Sequence, residues 1–191
     1  MVGASALVVA VPIGLLAAVA IKATSTGPVL FRQQRVGLDG RTFLIIKFRT
    51  MRVGTHTEVL ANDDAFDRYA DSGFKLPADD PRITAVGRFL RRTSIDELPQ
   101  LLNIVAGDMS LVGPRPVEAA QLEHRSPADQ ALYESLRPGL TGVWQVSGRS
   151  TLPESQRIEI DSTYAHTWTM LGDLRIILAT PAALLRPGET R

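Results

Sequence analysis

The chain has 191 residues, which is the size of one domain with a hydrophobic core of its own. It has no cysteine, so disulfides and thiolate metal ligands are excluded, and its three scattered histidines do not suggest a zinc motif. The net charge of +1 is unevenly distributed, because seven basic residues and one acid lie between Lys22 and Arg52. This basic segment suits nucleic acid, an anionic membrane surface or a phosphorylated ligand, and an ordinary solvated face would look the same.

Residues 4–21 form an apolar segment without a charged side chain. As a helix this segment would be about 27 Å long, which is marginal for crossing a bilayer. Pro12 lies near its middle and removes a helical hydrogen bond, so we expect a bent helix. A bend allows the chain to return to the side from which it entered. We therefore predict a re-entrant membrane helix over residues 1–24, with the basic segment at the lipid headgroups.

Two β-rich runs follow in "PVLFRQQRVGLDGRTFLIIKFRTM", on either side of Asp39 and Gly40. An Asp-Gly pair favours the tight turn of a hairpin, so we predict a short β-hairpin. Residues 61–80 are polar and acidic, which predicts a surface helix or loop. In the next segment, apolar residues recur at helical spacing and leave the arginines on the polar side of an amphipathic helix. These apolar residues are Ile83, Val86, Phe89 and Leu90.

The segment "RRTSIDELPQLLNIVAGDMSLVGPRP" places two adjacent carboxylates, Asp96 and Glu97, between arginines and a Pro-Arg-Pro sequence. Ser94 and Glu97 fit the Ser-x-x-Glu capping box, which predicts a helix with both acids in its first turn. The helix dipole stabilises acids there, so the pair has an explanation that requires no chemistry. A first turn flanked by arginines is also where a phosphate would bind. The predicted helix ends near Gly107 and has an apolar stripe of Leu98, Leu101, Leu102 and Val105.

The C-terminal segment "WTMLGDLRIILATPAALL" has apolar faces interrupted by charged residues and by Pro181. This pattern suits a helix in the plane of the membrane interface better than a second span. Trp144 is predicted to be a packing or membrane-interface anchor. We therefore expect a membrane-associated α+β fold that is mostly helical, with a Pro-kinked re-entrant N-terminal helix, a short β-hairpin and interfacial C-terminal helices.

Four motifs, in order along the chain, resemble the monotopic phosphoglycosyl transferases, the bacterial sugar transferase superfamily. They are "GPVLFRQQRVGLDGRTFLIIKFRTM", "DDPRITAVGRFLRRTSIDELPQLLN", "GDMSLVGPRP" and "LRPGLTGVWQVSGRS". The resemblance covers nearly the whole chain. It implies that residues 25–191 form a catalytic domain that transfers a sugar 1-phosphate from a UDP-sugar to polyprenyl phosphate and releases UMP. This reaction would start the synthesis of an exopolysaccharide, a capsule or an O-antigen.

The resemblance also implies an Mg²⁺ cofactor and the roles of individual residues. The family's Asp-Glu dyad matches Asp96 and Glu97, so Asp96 would be the nucleophile that forms a covalent phosphosugar intermediate and Glu97 a magnesium ligand. An aspartate is already ionised at neutral pH, so it needs no general base but only shielding from the diphosphate charge. Structural ion pairs or turn geometry are the alternative explanation for the implied substrate-binding cations. These cations are Lys47, Arg49, Arg91, Arg115 and Arg149.

The resemblance places the protein on the cytoplasmic face of the bacterial inner membrane, with the lipid bilayer as a partner, and it allows a homodimer. Family members carry a basic turn before the apolar helix, whereas this chain opens at Met1 inside it, which leaves a longer natural product open. A noncatalytic membrane-bound adaptor for polyprenyl phosphate or nucleotide sugar is the competing hypothesis. Nucleic acid is not an expected partner, because the chain has neither a recognisable binding motif nor interleaved aromatic residues.

Overall fold

The computed structural model describes residues 2–55, 79–147 and 152–184. The strands are β1 (Leu30–Val36), β2 (Thr42–Phe48), β3 (Ser110–Val112) and β4 (Gly139–Thr141). Short 3₁₀ turns occupy Leu38–Gly40 and Ile95–Glu97. The helices are α1 (Val2–Thr24), α2 (Ala85–Thr93), α3 (Gln100–Ala106), α4 (Ala119–Glu123), α5 (Pro127–Glu134), α6 (Val143–Ser147), α7 (Glu154–Thr167) and α8 (Met170–Leu184). The predicted α+β, mostly helical fold is confirmed.

The predicted β-hairpin is confirmed, with β1 and β2 paired antiparallel from Leu30 opposite Phe48 to Val36 opposite Thr42. Asp39 and Gly40 both have positive φ, 56° and 70°, which is the conformation that an Asp-Gly turn permits at low cost. The sequence did not reveal a second sheet, in which β3 and β4 pair in parallel. Strands of three residues are too short to leave a periodic signal.

Helix α1 is continuous through Pro12, so the proline does not end it. Its second half belongs to the core, because Ala17 and Ile21 pack with Phe48 and Leu90 in one buried cluster. Across the part of the chain that the structure describes, no helix combines the length and the apolar character needed to cross a membrane. The re-entrant membrane path of residues 1–24 stays a prediction.

The predicted capping box at Ser94 is wrong. Ser94 has a left-handed backbone (φ 56°), ends α2, and makes no side-chain capping hydrogen bond, because a capping residue needs an extended backbone. The two acids therefore lie in a separate 3₁₀ turn, and α3 starts only after Pro99. A side-chain cap does form at the start of α2, where the Thr84 hydroxyl accepts a hydrogen bond from the Gly87 N–H.

The predicted apolar stripe of α3 is only partly buried. Leu101 lies in the core and Leu98 packs against it, whereas Leu102 and Val105 are exposed. The helix ends at Gly107 as predicted, with that glycine in the left-handed conformation. Phe89 of α2 is also exposed, although its spacing placed it on the apolar face.

Two further predictions concern residues 61–80 and the C-terminal segment. The predicted surface helix or loop over residues 61–80 lies almost wholly outside the described residues. The C-terminal segment forms α8, which follows α7 directly. Asp173 fixes the junction between them, because its carboxylate accepts hydrogen bonds from the Tyr164 hydroxyl at 2.8 Å and from the Trp168 indole at 3.0 Å.

A close backbone contact joins α2 to the end of the hairpin. A Cβ added at Gly87 would lie 1.9 Å from the Thr50 carbonyl oxygen, so only glycine fits there. We expect Gly87→Ala to lower the free energy of unfolding by roughly 1–3 kcal/mol, because backbone must shift to admit the methyl group. Gly14→Ala is the matched control, since its Cβ would meet Phe48 only at an ordinary 3.4 Å. Thermal unfolding of both variants in one detergent tests this, and equal midpoints would contradict it.

Candidate active site

The Asp-Glu pair lies in the 3₁₀ turn Ile95–Glu97, where α2 ends and the chain turns towards α3. Asp96 is 9% exposed and Glu97 is 6% exposed. Burial of two adjacent carboxylates is costly unless nearby cations compensate them. A helix dipole alone does not account for such a pair, because that effect amounts to about 0.3–1 kcal/mol at exposed sites.

Two cations from separate parts of the chain contact Glu97. Its Oε1 lies 3.3 Å from the Nζ of Lys47 on β2 and 3.6 Å from the guanidinium of Arg115 in the Pro-Arg-Pro segment. Burial lowers the pKa of Lys47 to about 8, against the opposing effect of Glu97 and with a reinforcing effect of Arg115. The charge of Asp96 also raises the pKa of Lys47, so Asp96 lies within electrostatic range of this cation. The structure thus brings four of the predicted site residues together.

Asn103 holds the helix after the dyad against the strand that carries Lys47. Its amide nitrogen donates to the Leu44 carbonyl at 2.8 Å, and its side-chain oxygen accepts from the Ile46 N–H at 3.1 Å. The side chain therefore pairs with the β2 backbone as another strand would, and it is buried. This contact fixes the spacing between Lys47 and the dyad.

Arg49 lies elsewhere and has a structural set of contacts. Its guanidinium donates to the carbonyl oxygens of Ser25, Pro28 and Met51 and to the Ser25 hydroxyl, over distances of 2.6–3.3 Å. It thereby ties the α1–β1 connection to the end of β2. Its role in substrate binding stays a prediction, and these contacts favour the alternative of a structural clamp.

Arg91 also lies in a different cluster. Its Nε donates to the Thr50 hydroxyl at 3.0 Å. It lies near Asp80, whose pKa is held below its ordinary value mainly by a hydrogen bond from Arg82, with a smaller effect of the Arg91 charge. The substrate-binding role of Arg91 stays a prediction. Arg149 lies outside the described residues.

Arg115, which contacts Glu97, also lines a small cleft with a volume of about 40 Å³. Three further arginines line the same cleft, and sequence reasoning had singled out none of them as site residues: Arg35, Arg125 and Arg157. They come from a strand, the end of a short helix and α7, so no local pattern in the sequence connects them. We call these four residues the arginine cleft.

One wall of the arginine cleft is made by Trp144 and Asp161. The Arg157 guanidinium lies over the Trp144 ring, 5.1 Å from its centre. The ring is buried, which favours packing over the other predicted role, that of a membrane-interface anchor. Burial raises the pKa of Asp161 to about 7, although Arg125 and a hydrogen bond from Trp144 oppose the shift. Glu154 adds to the rise. Asp161 therefore changes charge near neutral pH.

The raised pKa of Asp161 predicts a pH-dependent stability. Between about pH 4 and pH 7 the folded chain keeps a proton that the unfolded chain has released, so the free energy of unfolding falls as pH rises. Asp161→Asn removes this dependence and can still accept from Trp144. We expect the variant to gain stability relative to the wild type from pH 5 to pH 8, on the order of 2 kcal/mol, allowing for partial solvent screening.

Denaturant unfolding at the two pH values measures this gain. Glu159→Gln removes an exposed acid from the same helix and should keep the slope of the wild type. A slope of Asp161→Asn equal to that of the wild type would contradict the assignment. The measurement should be made in one detergent throughout, so that only pH and the substitution vary. The Tyr133 and Tyr164 hydroxyls also lie in the electrostatic environment of Asp161.

The sequence pattern of the bacterial sugar transferase family matches residues 1–187. The chain is 47% identical over 163 residues to an undecaprenyl-phosphate galactose phosphotransferase of Salmonella typhimurium, which covers 84% of this chain and 34% of that protein. It is 47% identical over 183 residues to a UDP-glucose:undecaprenyl-phosphate glucose-1-phosphate transferase of Caulobacter vibrioides, covering 91% of this chain and 63% of the relative.

A shorter relative is matched along most of its length. The exopolysaccharide production protein ExoY of Sinorhizobium fredii is 40% identical over 190 residues, which cover 96% of this chain and 82% of that protein. By contrast, the chain spans about a third of the length of the Salmonella typhimurium relative and of a UDP-galactose-lipid carrier transferase of Erwinia amylovora. About two thirds of the sequence of each of these longer relatives therefore lies outside the matched region.

Proposed function

This chain belongs to the bacterial sugar transferase family, and we propose that it transfers a sugar 1-phosphate from a UDP-sugar to polyprenyl phosphate at the start of exopolysaccharide synthesis. The observation that carries the proposal is the buried Asp96-Glu97 pair, with Lys47 and Arg115 converging on one Glu97 oxygen. The name of the Caulobacter vibrioides relative contains both UDP-glucose and undecaprenyl phosphate, which supports the same two substrate classes here.

The proposed reaction has two displacements at one phosphorus atom. A carboxylate oxygen of Asp96 attacks the phosphorus that carries the sugar, the bond to the bridging diphosphate oxygen breaks, and UMP leaves with that oxygen. An oxygen of polyprenyl phosphate then attacks the same phosphorus and releases the Asp96 carboxylate. The products are UMP and a polyprenyl diphosphate sugar, and no proton has to be removed from the nucleophile.

The protein's part in this reaction is mostly positioning and charge neutralisation. Lys47 and Arg115 lie beside the dyad, where they can reduce the repulsion between an anionic nucleophile and an anionic diphosphate. Arg115 has a direction set by Pro114 and Pro116, because proline restricts the backbone on both sides. Asn103 keeps the Lys47 strand and the dyad at a constant spacing.

The dyad fits a magnesium ion that is shared with the substrate. Magnesium in proteins is commonly bound through one or two carboxylates, several waters and substrate phosphates. Asp96 and Glu97 supply two adjacent buried carboxylates, and within the described ranges no larger cluster of acids and histidines competes with them. Glu97 would hold the ion and Asp96 would remain the nucleophile. When bound, magnesium supplies charge neutralisation at the diphosphate.

The covalent intermediate can be tested directly. Incubation of the wild type with UDP-glucose or UDP-galactose, without the lipid acceptor, should leave a phosphosugar adduct on the peptide that contains Asp96. Asp96→Asn should fold and bind nucleotide sugar but form no adduct, because the amide is not a nucleophile. Glu97→Gln should form the adduct at least tenfold more slowly, since it retains the attachment point but weakens metal binding. Mass spectrometry of the digested protein measures all three.

Other outcomes would contradict the roles proposed for Asp96 and for magnesium. An adduct on Glu97, or turnover by Asp96→Asn, would overturn Asp96 as the nucleophile. Binding of UDP-sugar and polyprenyl phosphate without turnover would favour the noncatalytic adaptor. A panel of UDP-sugars in a UMP-release assay identifies the hexose, and full activity in EDTA would contradict the magnesium role.

Attachment to a bilayer is also part of the proposal. Helix α1 leaves Leu15, Leu16 and Val19 exposed, and α8 leaves Met170 and Leu178 exposed, so two helices present large apolar side chains to the surroundings. Exposed apolar surface on this scale marks a site of interaction with lipid or protein. We infer that α1 enters the cytoplasmic leaflet and returns, while α8 lies along the interface.

The lack of cysteine makes the topology directly testable. Single cysteines introduced as Val2→Cys and Glu159→Cys should both be protected from a membrane-impermeant maleimide in intact cells, and both should react after permeabilisation. A re-entrant helix returns both residues to the cytoplasmic face. Labelling of residue 2 from outside, with residue 159 protected until permeabilisation, would instead indicate a spanning helix.

A further inference from the structure

The arginine cleft is rich in guanidinium donors. Four guanidiniums face it, and two of them are deeply buried, with Arg125 9% and Arg157 7% exposed. Buried cations are costly unless acceptors surround them. Among the described residues, no acceptor contacts the buried Nε atoms of Arg35 and Arg125. The cleft therefore has more donors than its own acceptors use.

One carboxylate occupies the centre of these donors. Oε1 of Glu154 accepts from the Arg125 guanidinium at 3.1 Å and from the Gln121 amide at 2.9 Å, and Oε2 lies 3.4 Å from the Arg157 guanidinium. Two guanidiniums and an amide converging on one anion make the same set of charge-assisted hydrogen bonds that would hold a phosphate group. Glu154 is thus bound as a ligand would be.

The donors also have supporting contacts other than Glu154. The Trp144 ring supports Arg157 from behind, and the Tyr133 ring supports Arg125 at 5.4 Å. Arg35 is fixed by an ion pair with Glu118 at 3.2 Å. Glu154 itself is less constrained, because it sits at the first residue of α7 and its side chain is 29% exposed. Of the charged groups in this ion-pair network, the Glu154 carboxylate can therefore leave the cleft at the lowest cost in free energy.

We propose that the arginine cleft is a binding site for a phosphate group and that the Glu154 carboxylate occupies it as an internal anion, which the incoming phosphate displaces. The inference rests on the proposed function for its ligand class, a phosphate monoester carried by a uridine nucleotide or by a polyprenyl chain. Arg115 connects this site to the dyad, because it lines the cleft and contacts Glu97. The displaced carboxylate swings towards solvent at the start of α7.

An internal competitor weakens the apparent affinity in proportion to the fraction of molecules in which the site is open. If Glu154 leaves the site open in about a tenth of the molecules, its removal tightens binding about tenfold. We therefore expect Glu154→Gln to lower the Kd of its ligand about tenfold. Glu154→Asp keeps the charge but is one methylene too short to reach both guanidiniums, so it should tighten binding to an intermediate degree.

The probes are UMP, geranyl phosphate and inorganic phosphate, each titrated into the 191-residue chain in detergent by isothermal calorimetry. Glu159→Gln is the matched control, because it removes the same charge from an exposed position on α7 and should leave every Kd unchanged. Tightening for UMP alone identifies the nucleotide as the ligand, and tightening for geranyl phosphate alone identifies the lipid carrier. Equal tightening for all three indicates a general phosphate site.

Unchanged Kd values for all three probes in Glu154→Gln would overturn the inference. Tighter binding to Glu154→Gln but not to Glu154→Asp would also overturn the inference. Loss of the negative charge alone would then explain the tighter binding, without displacement of the carboxylate from the site. The adduct experiment separates this inference from the proposed function. An adduct on Asp96 together with unchanged Kd values leaves the transferase proposal intact, and a tenfold tightening without an adduct leaves only the phosphate site.

Discussion

The ion pairs at Glu97 are the constraint on which the arrangement of the molecule depends. Two adjacent carboxylates can be buried only where cations reach them, and here the cations come from β2 and from the Pro-Arg-Pro segment, about 50 residues before and 18 after the dyad. Lys47 contacts Glu97 only if the hairpin lies against α3, and Arg115 only if the chain after β3 returns to the same place. Folding of the hairpin, the dyad turn and the Pro-Arg-Pro segment is therefore coupled by the cost of leaving Glu97 uncompensated.

Asn103 and Gly87 supply the precision that charge alone lacks. Coulomb attraction varies slowly with distance, so it brings Lys47 near Glu97 without fixing the geometry. The amide of Asn103 fixes it, because paired hydrogen bonds to the β2 backbone require one register between α3 and the strand. Gly87 allows α2 to approach the Thr50 carbonyl closely, which sets the starting point of the dyad turn. Backbone contacts thus restrict the geometry of the site more tightly than its ion pairs do.

The sequence allowed several local elements to be predicted, and it singled out Lys47 and Arg115 as candidate substrate-binding cations, but it did not reveal their ion pairs with Glu97 or the other long-range contacts. Asp39, Gly40 and Gly107 belong to residue types that accept a positive φ, so the local sequence was enough to predict the hairpin turn and the end of α3. Both predictions were confirmed. Ser94 has the same local signature as a cap, yet its backbone is left-handed, and the chain passes there from α2 into the turn that carries the dyad. Lys47 and Arg115 lie in motifs that resemble the family, whereas Arg125 and Arg157 have no motif. Their convergence depends on the packing of α5 and α6 against α7, which residue patterns do not encode.

Under the proposed function, the two halves of the site share a physical problem, because a protein that binds several phosphates must remain folded without them. Clustered cations repel one another, and burial removes the water that would screen them. Glu97 compensates Lys47 and Arg115 on one side, and Glu154 compensates Arg125 and Arg157 on the other. Each carboxylate keeps its cations close together, so under the proposed function the site is organised before the substrate arrives. Preorganised donors stabilise a developing charge without further rearrangement, and internal carboxylates are the means by which this chain keeps them organised.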